Sequence, residues 1–359
     1  MSLLEPLSLP HGPELKNRML LAPMTNNQSN PDGTASEDDL SWMRLVAAGG
    51  YSMIMTAGAN VQRNGKSFAG QPGIYDDRHL EGLAEIASII RDAGSVSSVQ
   101  LHHGGVRSLG GENGQPYAMS RDIGARQMSA AEVEQLRDDF IAAAVRAQRA
   151  GFDGAEIHGA FGWIISMSLS PIANRRTDKY GGDLEGRSRL LFEILDGMRN
   201  ETGSEFQIGL RLSTERYGTP LHELRDIAQE AMRRKSIDYL DIAPWDVNAL
   251  AQEEGFEGQP VLSVFTGLDR GETRVGASGK IMTGAQADRA LEAGCDFIML
   301  GRAAILEPNA PQLFAEDANH RGPQTPVGFD YLRRQGLSET YINYLSVDHP
   351  NLVTSGFRR

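Results

Sequence analysis

Residues 151–192 read GFDGAEIHGAFGWIISMSLSPIANRRTDKYGGDLEGRSRLLF. Ala155, Ile157 and their neighbours make a short apolar strand that carries Glu156, and His158 follows where that strand ends. A titratable ring delivered by a buried strand marks a place for chemistry. The Gly-rich, charge-dense stretch behind it is too long for a plain connection in a compact domain and is a candidate functional loop. It leads into a helix whose apolar face is Leu184, Leu191, Ile194, Leu195 and Met198.

The same unit recurs on both sides. Ala150-Gly151 breaks a helix before the Glu156 strand, and Ala293-Gly294 breaks another before Phe297. Weaker versions fall at Ala48-Gly49-Gly50, Ala93-Gly94 and Ser236-Ile237-Asp238. Helix starts are also legible. Ser129-Ala-Ala-Glu132 is a capping box flanked by Met128 and Val133 as a hydrophobic staple, Thr219-Pro220 pairs a cap with a first-turn proline, and Thr283-Gly-Ala-Gln286 repeats the box. Strands are expected at Met19–Ala22, Ser52–Met55, Ser97–Leu101, Ala155–His158, Gln207–Leu212, Tyr239–Ile242, Thr273–Ala277 and Phe297–Leu300. That pattern predicts an α/β fold, a single-domain (β/α)8 TIM barrel over residues 1–359, with a core from about 17 to 315 and a tail from about 320 packing on the barrel. A doubly wound open sheet is the alternative, but no early Gly-rich dinucleotide turn accompanies it.

Composition narrows the chemistry. The formal net charge is -12, and no Lys/Arg cluster is dense enough to hold a phosphate backbone, which argues against nucleic acid as a partner. The N-terminal stretch alternates apolar residues with Pro, Glu and Lys, and no later run is long enough to cross a bilayer, so the expectation is a soluble, cytoplasmic protein without a membrane partner. Cys295 is the only cysteine, which excludes an internal disulfide, a cysteine-ligated iron–sulfur cluster and a Cys-based zinc site within one chain. No metal site is expected, and redox chemistry must come from an organic cofactor. Assembly into a homo-oligomer is left open.

In such a barrel the site lies at the carboxyl ends of the strands. Those ends present Ala22-Pro23-Met24-Thr25, Thr56-Ala57-Gly58, Gln100-Leu101-His102-His103, His158 and Arg211, then Gly279-Lys280-Ile281-Met282-Thr283-Gly284 and Gly301-Arg302. Glycines that expose backbone N–H groups, together with an arginine, suit a phosphate after strands seven and eight. Arg302 pairing with Glu307 is the structural alternative, and Arg211 in an apolar strand is costly unless it meets a partner. Adjacent strand residues point to opposite sides, so His102 shares a face with Gln100 while His103 turns away. Glu156, Asp178, Glu185, Arg187 and Arg189 are expected to form an ion-pair network that orders the long loop, and Cys295 reads as a small core residue.

Six motifs, in order, carry a specific resemblance: KNRMLLAPMT at 16–25, VQLHHGG at 99–105, GFDGAEIHGAFGW at 151–163, LSPIANRRTDKYGGDLEGRSR at 169–189, IGLRLS at 208–213 and FIMLGRA at 297–303. From about Glu5 to Leu313 the chain resembles the Old Yellow Enzyme family of FMN-dependent ene-reductases. The resemblance implies a tightly bound FMN across the barrel mouth, NADH or NADPH as reductant, and a small unsaturated carbonyl or quinone-like substrate. It implies that Pro23, Met24 and Thr25 line the flavin, that Gly58 and Gln100 meet its pyrimidine edge, and that Arg211 sits by N1 and O2. Lys280, Gly284, Gly301 and Arg302 fall to the phosphate end. His158 is implied as the catalytic donor to a substrate carbonyl, with Thr25, His102, Phe161 and Trp163 around the substrate.

The chain also departs from the family pattern. A second His or Asn is expected three residues after His158, and a proton-donating Tyr two further on; here they are Phe161 and Trp163. Phe161 donates nothing, and an indole N–H is too weak an acid to deliver a proton. Gly186 replaces a common Asn, and Val106 stands where an Arg is frequent. These changes leave flavin binding intact while pointing to a weakened, reshaped or redirected ene-reductase step. An NAD(P)H oxidase or quinone-type reductase, and a flavin enzyme with non-reductive chemistry, stand as alternatives.

Overall fold

The computed structural model describes residues 2–110, 114–122 and 124–354. Eight parallel strands form the barrel: β1 (Met19–Leu21), β2 (Met53–Met55), β3 (Val96–His102), β4 (Gly154–Gly159), β5 (Gln207–Ser213), β6 (Tyr239–Ala243), β7 (Arg274–Ser278) and β8 (Phe297–Leu300). Each pairs with the next, and β8 returns to β1 through Leu20 opposite Met299, so the sheet closes and leaves no edge. Every strand starts and ends within a residue of its expected position, and the fold is a single-domain (β/α)8 barrel.

Alternation decides what fills the cylinder. Leu20, Met53, Met55, Val96, Tyr239, Phe297 and Met299 pack inside it, and Leu7, Leu9 and Leu15 plug its amino-terminal end. Leu7 and Leu15 are tied by reciprocal backbone hydrogen bonds of 2.9 Å, which holds this plug as a closed loop. Two glycines make room for the rings. A Cβ on Gly209 would fall 2.1 Å from Tyr239 Cζ, and one on Gly276 would fall 2.2 Å from Phe297 Cε2. Either substitution to alanine forces a ring out of the packed interior.

The helices cover the outside through apolar stripes. In Ala130–Arg149, Val133, Leu136, Phe140, Ala143 and Ala147 are buried, and the Ser129/Glu132 box forms in full. Two other helix starts differ from expectation. Thr219 does not cap Leu221–Arg233; Pro220 occupies the cap position, and the Glu253 carboxylate accepts from the Leu221 and His222 N–H groups instead. Thr283 does cap Gly284–Glu292, but Gln286 turns its oxygen to the Met282 N–H rather than completing the box.

The long loop is ordered by buried arginines, and Glu156 takes no part. Arg176 forks onto Asp178 at 3.0 and 2.6 Å and donates to the Met119 and Met128 carbonyls. Arg187 bridges the Leu169 and Gly182 carbonyls and pairs with Glu223 at 2.6 Å, whereas Arg189–Glu185 is a surface pair. Gly186 has a local reason: a Cβ there would lie 2.0 Å from the Gly181 carbonyl oxygen. C-terminal helices at Phe329–Arg334 and Glu339–Asp348 dock through Leu332, Tyr341, Ile342 and Leu345, with Tyr341 edge-on to Trp42 at 5.3 Å. Residues 355–359 of the tail lie outside the described residues.

Candidate active site

The carboxyl ends of the strands surround an open cleft of about 290 Å3. Its walls include Pro23, Met24 and Thr25 after β1, Arg211 on β5, Ser278 on β7, and Lys280, Gly301 and Arg302 beyond. Parallel pairing puts His158 beside Arg211 and Arg211 beside Asp241, so three polar side chains from consecutive strands share one layer. Arg211 is buried; its Nε lies 3.2 Å from Asp241 Oδ2, and its Nη2 donates to Ser278 Oγ at 2.8 Å. The ion pair supplies the compensation that a cation in an apolar strand requires.

One layer below, Gln100 Nε2 donates to Glu156 Oε1 at 2.8 Å. Burial above all, and then the Asp241 charge, raise the Glu156 carboxyl well above its ordinary range; burial raises Asp241 as well, opposed by Arg211. Gly58 stands against this layer, its Cβ position 3.3 Å from Gln100 Oε1 and 3.2 Å from His102 Cβ. No side chain larger than hydrogen fits there without displacing one of them.

The rings form a cluster over β3 and β4. His102 lies 5.3 Å from His158 and 4.5 Å from Trp163, and Phe161 is edge-on to His158 at 5.7 Å. His103 turns the other way, accepting from the Gly105 N–H and packing beneath Gly65. Burial foremost holds His102 and His103 down to about 3, and burial, His102 and Arg211 hold His158 well below the usual imidazole range. His158 is therefore neutral at physiological pH. Its Nδ1 accepts from the Ala160 N–H at 3.4 Å, which leaves the ring proton on Nε2 and makes that atom a donor.

Arg302 has no carboxylate partner among the described residues, and Glu307 is engaged by His320 at 3.0 Å, so the structural alternative for Arg302 falls. Gly301 opens onto the cleft: a Cβ there would meet nothing closer than Met24 Sδ at 3.6 Å. Lys280 pairs with Asp246 at 3.2 Å at the rim. Gly284 stands apart. Its Cβ position meets Ala318 Cα at 2.9 Å, and Gly279, Lys280 and Ile281 form the wall beside Arg302 in its place. Sequence reading passed over Trp245 after β6, Ser278 at the end of β7, and Tyr344, His349 and Leu352 from the tail, all of which line the cleft. Trp245 and Ser278 were accessible to the same strand-end rule; the tail residues carried no periodic or motif signal.

A phosphate-bearing flavin fits these walls. Arg302, without a carboxylate partner among the described residues, and a bare glycine face the cleft at one end, and the buried Arg211 cation sits at another, an arrangement that suits a phosphate and a ring that gains negative charge on reduction. The barrel, the cleft and these cations define an FMN-dependent NAD(P)H oxidoreductase of the Old Yellow Enzyme type. The chain belongs to the NADH:flavin oxidoreductase / NADH oxidase family, whose model matches residues 2–320. It is 34% identical over 322 residues to the probable NADH-dependent flavin oxidoreductase YqiG of Bacillus subtilis, covering 86% of each chain. It is 32% identical to the NADPH dehydrogenase of Bacillus licheniformis, covering 89% of this chain and 95% of the other. The solved Old Yellow Enzyme homologue from Zymomonas mobilis superimposes with a TM-score of 0.78 at 26% identity, over 92% of this chain and 96% of that one.

Proposed function

We propose that this enzyme uses NADH or NADPH to reduce a carbon–carbon double bond conjugated to a carbonyl. When bound, FMN supplies the two-electron transfer between nicotinamide and alkene. Gly301, Arg302 and the Gly279–Lys280 turn would hold its phosphate, Thr25 and Met24 would line its ring, and Gln100 and Gly58 would meet its pyrimidine edge. Arg211 would stabilise negative charge at that edge, and Asp241 and Ser278 keep its guanidinium in place. His158 donates from Nε2 to the substrate carbonyl oxygen, which draws electron density from the alkene. His102, Phe161 and Trp163 give the substrate an apolar, aromatic surround.

The observation that carries this reading is the His158 imidazole: buried, its Nδ1 accepting from the Ala160 N–H, and paired in register with Arg211 on the next strand. A neutral donor polarises a carbonyl without placing a second cation beside Arg211. The test is an anaerobic steady-state assay of the FMN-loaded protein with NADH and NADPH against cyclohexenone, a maleimide and a quinone. Saturated products from the enone or maleimide are expected, falling roughly 100-fold in His158→Ala while quinone turnover holds. Turnover with quinone or oxygen alone overturns the reading.

A further inference from the structure

Trp163 stands where a proton donor belongs, and its indole is committed elsewhere: edge-on to His102 at 4.5 Å and beneath the Arg107 guanidinium at 3.4 Å. Another phenol reaches the same turn. Tyr217 follows β5 in the short helix Glu215–Tyr217, and its Cδ1 lies 3.2 Å from the Cβ position of Gly162, a residue at φ +71 between Phe161 and Trp163. Its ring is edge-on to Phe161 at 5.9 Å, and Phe161 is in turn 5.7 Å from His158. The Tyr217 hydroxyl accepts a hydrogen bond from Trp245 Nε1 at 3.0 Å. With its acceptor side engaged, the hydroxyl keeps its own proton to give.

We propose that Tyr217 delivers the proton to the substrate α-carbon, a catalytic role that Trp163 cannot fill. This rests on the ene-reductase reading above. In the step, the β-carbon receives a hydride equivalent originating in NAD(P)H, the π bond breaks, and its electron pair moves to the α-carbon. That pair takes the Tyr217 hydroxyl proton, and the alkene is reduced by two electrons and two hydrogens. The phenolate left behind is stabilised by the Trp245 N–H and by the Arg107 cation, which lies beside Gly162 and interacts electrostatically with Tyr217. Tyr217 is half-buried, so solvent restores its proton.

The experiment compares wild type, Tyr217→Phe and Tyr217→Phe/Trp163→Tyr as FMN-loaded enzymes, using an α-substituted enone in D2O and a quinone. In Tyr217→Phe we expect enone turnover to fall roughly 10- to 100-fold, while FMN content, the rate of reduction by NAD(P)H and quinone turnover stay within about twofold. Deuterium at the α-carbon, read by NMR, should go from one face in wild type to both faces in Tyr217→Phe, and the double variant should regain part of the rate. Unchanged enone turnover and one-face deuteration in Tyr217→Phe overturn the inference and leave the ene-reductase reading standing. A parallel loss of quinone turnover or of flavin reduction assigns Tyr217 a structural role and also overturns it. A wild type inert to every enone overturns both.

Discussion

Replacing Arg211 with methionine should separate what this residue does for the fold from what it does for the flavin. Asp241 is fully buried, and neither of its oxygens has a hydrogen-bond partner among the described residues, so the Arg211 Nε at 3.2 Å is its compensation. At an effective dielectric of about 20, a pair at that distance is worth about 5 kcal/mol. The loss is capped, because a stranded carboxyl takes up a proton instead. Protonating an ordinary carboxyl at pH 7 costs about 4 kcal/mol, and less for Asp241, which burial already raises. Arg211→Met should therefore lose about 2–4 kcal/mol at pH 7, and Arg211→Met/Asp241→Asn should recover all but about 1. The sign with pH follows: the variant's Asp241 has its folded pKa raised further above the unfolded value, so the deficit is absent near pH 4 and grows as pH rises. Urea unfolding followed by circular dichroism at pH 5 and pH 7 measures it. In both variants FMN should bind more weakly and its midpoint potential should drop, since the cation at the pyrimidine edge is gone. Wild-type FMN affinity and potential in the double variant would refute the placement of Arg211 beside the ring; a single variant equally stable at both pH values would refute its role as the partner of Asp241.

Three further outcomes are expected. Glu156→Gln mimics the protonated carboxyl and keeps an acceptor for Gln100; because the Glu156 folded pKa is raised, wild type loses stability as pH climbs above about 4.5, and the melting-point advantage of the variant should widen from pH 5 to pH 8. Phe161→His/Trp163→Tyr should raise enone reduction by about one to two powers of ten by adding a carbonyl donor and an acidic hydroxyl; histidine also tolerates the left-handed backbone of position 161, at φ 59, better than phenylalanine. An unchanged rate means that these groups do not limit the reaction. Cys295 is buried, with burial pushing its thiol up to about 12, so a disulfide reagent should label it only as fast as the protein unfolds, and stoichiometric labelling of folded protein would contradict its core position.

Much of the barrel was written locally. Short apolar runs, Ala-Gly helix ends and the Ser129 box depend on neighbours a few residues apart, and all eight strands fall where those signals put them. The strand-end rule likewise found Thr25, Arg211, Gly301 and Arg302, which share one cleft. Non-local partners escaped it. Nothing near Thr219 announces that Glu253 would cap its helix, and nothing near Glu156 shows that a glycine one strand away leaves space for Tyr239 while Asp241 approaches from the strand beyond.

Motif order and period determined that this chain closes an eight-stranded barrel, that its mouth carries Arg211, Gly301 and Arg302, and that Phe161 and Trp163 occupy positions where hydrogen-bonding groups stand in the family. Closure of the barrel decided the rest. Sheet register set Arg211 against Asp241, pairing across β3 and β4 brought His102 to His158, and packing of remote segments brought Tyr217 and Trp245 to the Phe161–Trp163 turn and Tyr344 and His349 to the cleft. The physical reason is that strand spacing and side-chain volume act between segments far apart in the chain, where no local pattern records which surfaces will meet.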